Sequence, residues 1–184
     1  MCTDHDGEPI NIIFRDGDPL SLLSNLAATP FVLDDQHFAS VEAFIQAIKY
    51  PEDGPKAARR HRIATLTGHA ARRAGTNPNR KISRAWAEGE EAWVYWAGRH
   101  ILYQSESHAM LIERAIRAKF TQSTTALAVL RGTGNRALRH ATGAPERRVT
   151  SLKAMELCRI LTDIRTEARS RNAVGRRRRD HRSP

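Results

Sequence analysis

The sequence contains little cysteine, few aromatic residues and no long apolar run. Its two cysteines, Cys2 and Cys158, lie far apart and predict no disulfide framework. No stretch approaches the length of about 20 apolar residues that spans a membrane. The first nine residues are polar and acidic and lack the basic and apolar order of a signal peptide. We therefore expect a cytoplasmic protein without a membrane partner.

Several motifs that would indicate a metal, a cofactor or a known nucleophile are also missing. The eight histidines form neither an H-E-x-x-H motif nor a Cys/His cluster with zinc spacing. The sequence has no G-x-x-x-x-G-K-[ST] and no G-x-S-x-G. It therefore predicts no metal site and no cofactor.

The composition predicts one folded domain with a charged C-terminal tail. The chain has 184 residues, of which 40% are hydrophobic, so one core can form without disulfide or metal cross-links. We expect a flexible N-terminus over residues 1–9, a domain over residues 10–168 and a disordered Arg-rich tail over residues 169–184. The tail has seven arginines and Asp180, a net charge of +6 out of the formal +10. Such a tail either binds nucleic acid through salt-sensitive electrostatics or serves as a solubilising end.

The hydrophobic pattern predicts an α+β fold that is mainly α, with a small early β-sheet and about five helices. Residues 10–14 read as a strand, and residues 31–33 and 36–38 read as a hairpin around Asp34-Asp35. A short helix with Ser40 as its N-cap follows within residues 38–50. Beyond it we expect helices near residues 55–74, 83–103, 107–121, 124–131 and 150–168.

The helix that follows Ser40 has a polar row beside an apolar one. Glu42, Gln46 and Lys49 recur at helical spacing next to Phe44 and Ile48. Such a row is usually a solvated face, with the glutamate favoured by the helix dipole. A half-shielded row of the same residues would instead suit a binding site.

The aromatic run in the middle of the chain also has two interpretations. Trp93, Tyr95 and Trp96 lie in a predicted helix, with Arg99 and His100 one turn further on. Aromatic residues at helical spacing usually belong to the core. Alternatively, Trp93 and Trp96, or Tyr95, could stack on a base or another flat ring while Arg99 binds a phosphate.

The segment LSNLAATPFVLDDQHFASVEAFIQAIKY resembles the signature of the NADAR (YbiA-like) family. The residues that match the family pattern in order are Ser24, Asn25, Pro30, Phe31, Asp34, Ser40, Glu42, Gln46, Ala47, Lys49 and Tyr50. A second segment, residues 115–122, resembles the family's A-x-x-A-K-F-x-Q, and Gly132-Thr133-Gly134 follows it. The resemblance covers about residues 10–168 and implies a YbiA-like single domain.

The resemblance implies an N-glycosidase. Some family members cleave the C–N bond of early riboflavin-pathway intermediates, and others remove ADP-ribose from guanine in nucleic acid. Both reactions pass through an oxocarbenium-like transition state, which needs negative charge near C1′ and a base for water. The resemblance makes Glu42 the general base or the stabiliser of the cation, with Asn25 orienting the substrate. Residues that would bind substrate are Ser24, Phe31, Gln46, Lys49 and Lys119, to which the stacking interpretation adds Trp93 and Arg99.

The chain departs from the family pattern before its last helix. Many members have a W-G-D-G loop there that supplies a second acidic residue, whereas residues 140–151 contain neither tryptophan nor G-D-G. Glu146 is a candidate replacement by sequence position alone. Arg147 and Arg148 indicate a phosphate-rich ligand. Three functions therefore remain open: an N-glycosidase, a non-catalytic ADP-ribose or nucleotide-binding module, and a nucleic-acid-binding protein that acts through its tail.

Overall fold

The part of the chain that the structure describes contains seven α-helices and three two-stranded sheets. The computed structural model describes the backbone of residues 7–180 and the side chains of residues 7–171. The fold class is α+β and mainly α, as predicted, with two more helices than the five expected. The strands are β1 (Ile10–Asn11), β2 (Phe31–Leu33), β3 (Gln36–Phe38), β4 (Trp93–Trp96), β5 (Arg99–Leu102) and β6 (Leu138–Arg139). The helices are α1 (Val41–Ala47), α2 (Ala57–Ala64), α3 (Gly68–Ala74), α4 (Thr76–Ala87), α5 (Glu106–Gln122), α6 (Thr124–Gly132) and α7 (Ala154–Asp180).

The predicted hairpin around Asp34-Asp35 is confirmed. β2 and β3 pair in antiparallel register from Phe31 opposite Phe38 to Leu33 opposite Gln36. Asp34 and Asp35 have φ angles of 46° and 60°, as a two-residue turn with positive φ at both positions requires. The predicted strand at residues 10–14 is shorter than expected, since β1 covers two residues and pairs in parallel with β6.

The helix α1 lies in the core of the fold. Ser40 caps it as predicted, because its hydroxyl oxygen accepts a hydrogen bond from the Ala43 amide at 3.0 Å. The helix contacts α2, α3 and α5. Val41 and Phe44 are fully buried, and the Phe44 ring packs edge-on against Trp96. Almost the whole surface of α1 is therefore in contact with protein.

The predicted helix over residues 55–74 is two helices. α2 ends at Ala64, and α3 begins at Gly68, whose φ of 55° interrupts the helical backbone. A second break falls at Gly75, as expected, but α4 begins directly after it. Pro78 is accommodated there because the amide groups of a first helical turn have no intrahelical partner.

The prediction of a helix over residues 83–103 is wrong beyond Ala87. Residues 93–102 form an antiparallel hairpin, β4–β5. Ala97 and Gly98 make its turn with φ angles of 50° and 69°, and the Gly98 amide donates to Glu52 Oε2 at 2.6 Å. Aromatic and β-branched side chains favour a pleated strand with alternate residues buried, so β-structure is not confined to the early part of the chain.

The buried Arg60 of α2 connects this hairpin to the end of α1. Its guanidinium donates to the carbonyl oxygens of Tyr50 and Tyr95 at 3.0 and 2.9 Å and to Glu52 at 3.1 Å. Its side chain is 2% exposed. The hairpin and the C-terminal end of α1 are therefore held by one charged side chain.

The C-terminal part differs from the prediction at the start and the end of α7. The helices near residues 107–121 and 124–131 are confirmed as α5 and α6. α7 begins at Ala154 rather than at residue 150, and it continues to Asp180, where the sequence predicts a disordered tail from residue 169. Arginine is a good helix former and extending an existing helix is easy, which accounts for the helical backbone of residues 169–180. The side chains from residue 172 onward and the backbone of residues 1–6 and 181–184 lie outside the described residues. No described helix is both long and apolar enough to cross a membrane.

Candidate functional site

A cavity of about 430 Å³ lies along one side of α1. Its walls come from residues 13–14, the loop at residues 24–26, α1 with Lys49 after it, and the adjoining α3 and α4. Tyr103, the segment at residues 140–154 that leads into α7, and Leu157 of α7 complete the lining. Small-molecule sites are usually concave and occupy about 300–1,000 Å³. The cavity is therefore large enough for a small-molecule ligand.

Glu42 and Gln46 of α1 and Lys49, in the turn that follows the helix, form a hydrogen-bonded row in this cavity. Lys49 Nζ donates to Gln46 Oε1 at 2.8 Å, and Gln46 Nε2 donates to Glu42 Oε1 at 2.7 Å. An ammonium group can only donate, so it binds the amide oxygen and leaves the amide NH₂ for the carboxylate. Gln46 is 4% exposed and Lys49 is 8% exposed. The row is thus a shielded chain of polar groups and not a solvated helix face.

The loop that contains Ser24 and Asn25 accepts one hydrogen bond from the row and one from α5. The Glu42 amide donates to the carbonyl oxygen of Asn25 at 2.8 Å. Lys119 of α5 donates to the carbonyl oxygen of Ser24 at 2.8 Å. Burial lowers the pKa of Lys119 to about 7. Ser24 and Asn25 line the cavity together with Glu42, Gln46 and Lys49.

The charges around the cavity are mainly positive. Glu42 is the one carboxylate among the described lining residues, whereas Lys49, Arg72, Arg147 and Lys153 are cationic. The side chains of these last three form no hydrogen bond or ion pair with another described residue. Burial lowers the pKa of Lys49 to about 8, and the neighbouring Glu42 opposes this shift. An anionic ligand would be attracted to such a site.

Four residues proposed from sequence as substrate contacts do not line the cavity. Phe31 packs against Phe38 in the core, and Lys119 lies behind the Ser24 loop. Trp93 and Arg99 lie on the β4–β5 hairpin and not on a helix, and the cavity does not include them. Their roles in stacking and phosphate binding stay predictions.

Glu146 also lies outside the lining. Its carboxylate accepts a hydrogen bond from the Ala154 amide at 2.5 Å, in the first turn of α7. A carboxylate in this position satisfies an unpaired amide and interacts favourably with the helix dipole. The neighbouring Arg147 lines the cavity instead.

Sequence reasoning missed the contributions of α4 and of His140. Asn79 of α4 accepts a hydrogen bond from Lys49 at 2.6 Å. His140 lines the cavity and its Nδ1 atom makes a short hydrogen bond with the carbonyl oxygen of Ile12. Neither residue belongs to a recognisable motif. The only available signal was the predicted break at Gly75, which brings a helix start close to α1.

The described residues offer no obvious metal site. No group of three or more His, Cys, Asp or Glu side chains within them is arranged to hold a metal ion. The cavity instead presents amide, hydroxyl and cationic groups, which suit sugar hydroxyls and anionic oxygens.

Comparisons with known proteins identify the family and the fold. The family model described as bacteriophage protein GP30.3 matches residues 17–166. The NMR structure of the E. coli protein YbiA is similar to this structure with a TM-score of 0.55 and 20% sequence identity, over 90% of this chain and 88% of that chain. At this identity the likeness concerns the fold alone, and it confirms the predicted YbiA-like fold. A search of curated proteins finds no match.

Proposed function

We infer that this chain, which belongs to the family of bacteriophage protein GP30.3, is an N-glycosidase that hydrolyses an anomeric C–N bond. The proposed substrate is an ADP-ribosyl conjugate, such as ADP-ribosyl-guanine in nucleic acid, or a ribosyl-phosphate conjugate. The observation that carries this proposal is the row Lys49–Gln46–Glu42, which ends on the one described carboxylate of a cavity with cationic walls. The resemblance of the same residues to the NADAR signature supports it.

The proposed reaction uses Glu42 at the sugar carbon. Cleavage of the bond between C1′ and nitrogen leaves positive charge on C1′ and the ring oxygen, and a nearby carboxylate stabilises this charge. Water then adds to C1′ and gives one proton to Glu42, while the leaving nitrogen takes up one proton from solvent. Glu42 returns its proton to solvent, so that one water molecule is consumed and the carboxylate is restored. Within the row, the carboxylate of Glu42 accepts a hydrogen bond from the NH₂ group of Gln46.

The cationic walls favour a substrate that carries phosphate. Arg72 comes from α3, whereas Arg147 and Lys153 come from the segment before α7. Guanidinium groups bind phosphate oxygens in pairs of hydrogen bonds, and lysine supplies a point charge. A neutral nucleoside would leave these charges without a partner in the complex.

The proposal is tested by glycosidase turnover measured by mass spectrometry. Wild-type protein and the variant Glu42→Gln are offered an ADP-ribosylated guanine oligonucleotide and a ribosylaminopyrimidine phosphate. Glutamine has the same shape and can still accept from Gln46, but it lacks the charge and the basicity. We expect the wild type to release ADP-ribose or ribose phosphate and the variant to lose about 10²- to 10⁴-fold in rate.

The matched control is Glu90→Gln, the same change at an exposed residue outside the cavity. It should keep the wild-type rate. Equal turnover by the Glu42→Gln variant would refute the role of this carboxylate. No turnover of either conjugate by the wild type would refute the N-glycosidase.

A non-catalytic binding module is the second candidate. It is favoured by the absence of a second carboxylate from the described lining residues, because glycosidases usually use two. The module would bind ADP-ribose with unchanged affinity in the Glu42→Gln variant, as measured by titration calorimetry, without turnover by either protein. Turnover by the wild type would eliminate this candidate.

A further inference from the structure

Gly75, between α3 and α4, lies directly against the amide group of Gln46. A Cβ atom built on Gly75 would lie 1.8 Å from Gln46 Oε1 and 2.2 Å from Gln46 Cδ. Real Cβ atoms do not approach heavy atoms this closely. Among the glycines of residues 7–171, no other has a contact below 3.0 Å at this position. Any side chain at residue 75 would therefore displace the Gln46 amide.

The backbone does not require glycine at this position. Gly75 has φ −81° and ψ −2°, which other residues adopt readily. The close approach to Gln46 is thus the one reason that the described structure gives for glycine here. A glycine loses more conformational freedom on folding than an alanine would. The space that it leaves for the Gln46 amide offsets this cost.

The displaced group cannot move without breaking the row. Gln46 is 4% exposed, and both ends of its amide are engaged, with Lys49 at 2.8 Å and Glu42 at 2.7 Å. The side chain of Gln46 would have to turn away from at least one of these partners. A methyl group at residue 75 would therefore act on Glu42 through Gln46.

We propose that Gly75 is a positioning residue for the glycosidase site, which leaves the room that Gln46 needs to hold Glu42 in place. This inference rests on the proposed function for its effect on turnover, whereas its effect on Gln46 is independent of any activity. Gly75 itself does not line the cavity. It determines where the donor to the carboxylate lies.

The experiment is a double-mutant cycle of Gly75→Ala, Gln46→Ala and the double variant. For Gly75→Ala alone we expect kcat to fall by about 100-fold, with a smaller change in KM, and the urea midpoint to fall. In the Gln46→Ala background the clashing amide is absent. There Gly75→Ala should cause no further loss of kcat or of the midpoint.

The side-chain amide signals of Gln46 in the NMR spectrum provide the reading that does not depend on turnover. They are assigned by their absence in Gln46→Ala. In Gly75→Ala they should shift and exchange faster with solvent, because the hydrogen bonds to Lys49 and Glu42 are disturbed. If neither conjugate is turned over by the wild type, the proposed function fails, and these signals and the urea midpoints still decide the role of Gly75.

The matched control is Gly132→Ala, since Gly132 also lies at a helix end, as the last residue of α6, and a Cβ atom there meets nothing within 4 Å. It should leave kcat and the Gln46 signals unchanged. Unmoved Gln46 signals in Gly75→Ala would overturn the proposal. So would an equal loss in both backgrounds, because Gly75 would then act on helix packing and not through Gln46.

Discussion

His108 of α5 should make the protein unstable in mild acid. The side chain is 1% exposed, and its ring packs on Tyr103 with 4.8 Å between centroids. Its Nδ1 atom accepts a hydrogen bond from the Gln104 amide at 3.1 Å, whereas Nε2 has no partner among the described residues. Protonation would place a charge in this enclosed position. Burial, and in second place the charge of Lys49, lower the pKa of His108 to about 4 from 6.5.

The direction of the effect follows from proton binding. Between pH 6.5 and about 4 the unfolded chain binds a proton at this histidine and the folded protein does not. The free energy of unfolding therefore falls as the pH falls through this window and is unaffected above it. A shift from 6.5 to about 4 corresponds to roughly 3 kcal/mol. This is a large share of the 5–15 kcal/mol, roughly, that stabilises a typical domain.

The assay is urea unfolding followed by tryptophan fluorescence at several pH values between 7.5 and 4, on wild type and His108→Asn. Asparagine places an acceptor oxygen where His108 has Nδ1, so the bond from Gln104 can persist. Its smaller side chain lowers the stability at every pH, but it does not titrate. We expect the wild type to lose about 3 kcal/mol more than the variant between pH 7 and pH 4.

The comparison cancels the carboxylates that also titrate in acid, such as Asp34, whose pKa is lowered by its hydrogen bond from Trp96 and by Arg114. Parallel curves for the two proteins would refute the reasoning. They would mean that His108 binds its proton equally well in the folded and the unfolded chain.

Two further predictions concern Asn79 and Arg60. Asn79→Asp places a carboxylate next to Lys49 Nζ, so the pKa of Lys49 should rise above about 8. The alkaline limb of the pH profile of kcat/KM should then shift to higher pH. In Asn79→Leu it should shift to lower pH. An alkaline limb that stays unmoved in both variants would exclude Lys49 as the group that titrates there. Arg60→Met removes the guanidinium that donates to the carbonyl oxygens of Tyr50 and Tyr95, and it removes the cationic partner of Glu52. It should cost about 3–5 kcal/mol in urea unfolding, whereas the exposed control Arg62→Met should cost less than about 0.5 kcal/mol.

The sequence predicted the α1 part of the site because local rules determine it. A capping serine marks the helix start, and the period of 3.6 places Glu42, Gln46 and Lys49 on one side of the helix. Whether that side faces solvent or a cavity was open, because the spacing is the same in both cases. The structure decides it by packing α3 and α4 against the row.

The hairpin β4–β5 could not be recognised from helical periodicity. In WVYW each residue is apolar or aromatic, so the pattern shows neither period 2 nor period 3.6 clearly. The turn at Ala97-Gly98 carries a weak signal, because alanine rarely adopts positive φ. The hydrogen bond from the Gly98 amide to Glu52 joins residues that are distant in sequence, and it helps to stabilise the turn of the hairpin. Trp93 and Arg99 therefore lie on a hairpin and not on the predicted helix, and their role in binding stays a prediction.

The arrangement of the polar row on α1 depends on contacts with the start of α4. Glu42, Gln46 and Lys49 can form their row on an isolated helix only by giving up the freedom of three side chains, at a cost of about 1–2 kcal/mol for each long one. Asn79 offsets part of this cost by holding Lys49, and Gly75 removes an obstacle to Gln46. Both residues lie within the first turn of α4 or just before it. The close approach of that turn to α1 is thus what converts a common polar helix face into a candidate catalytic site.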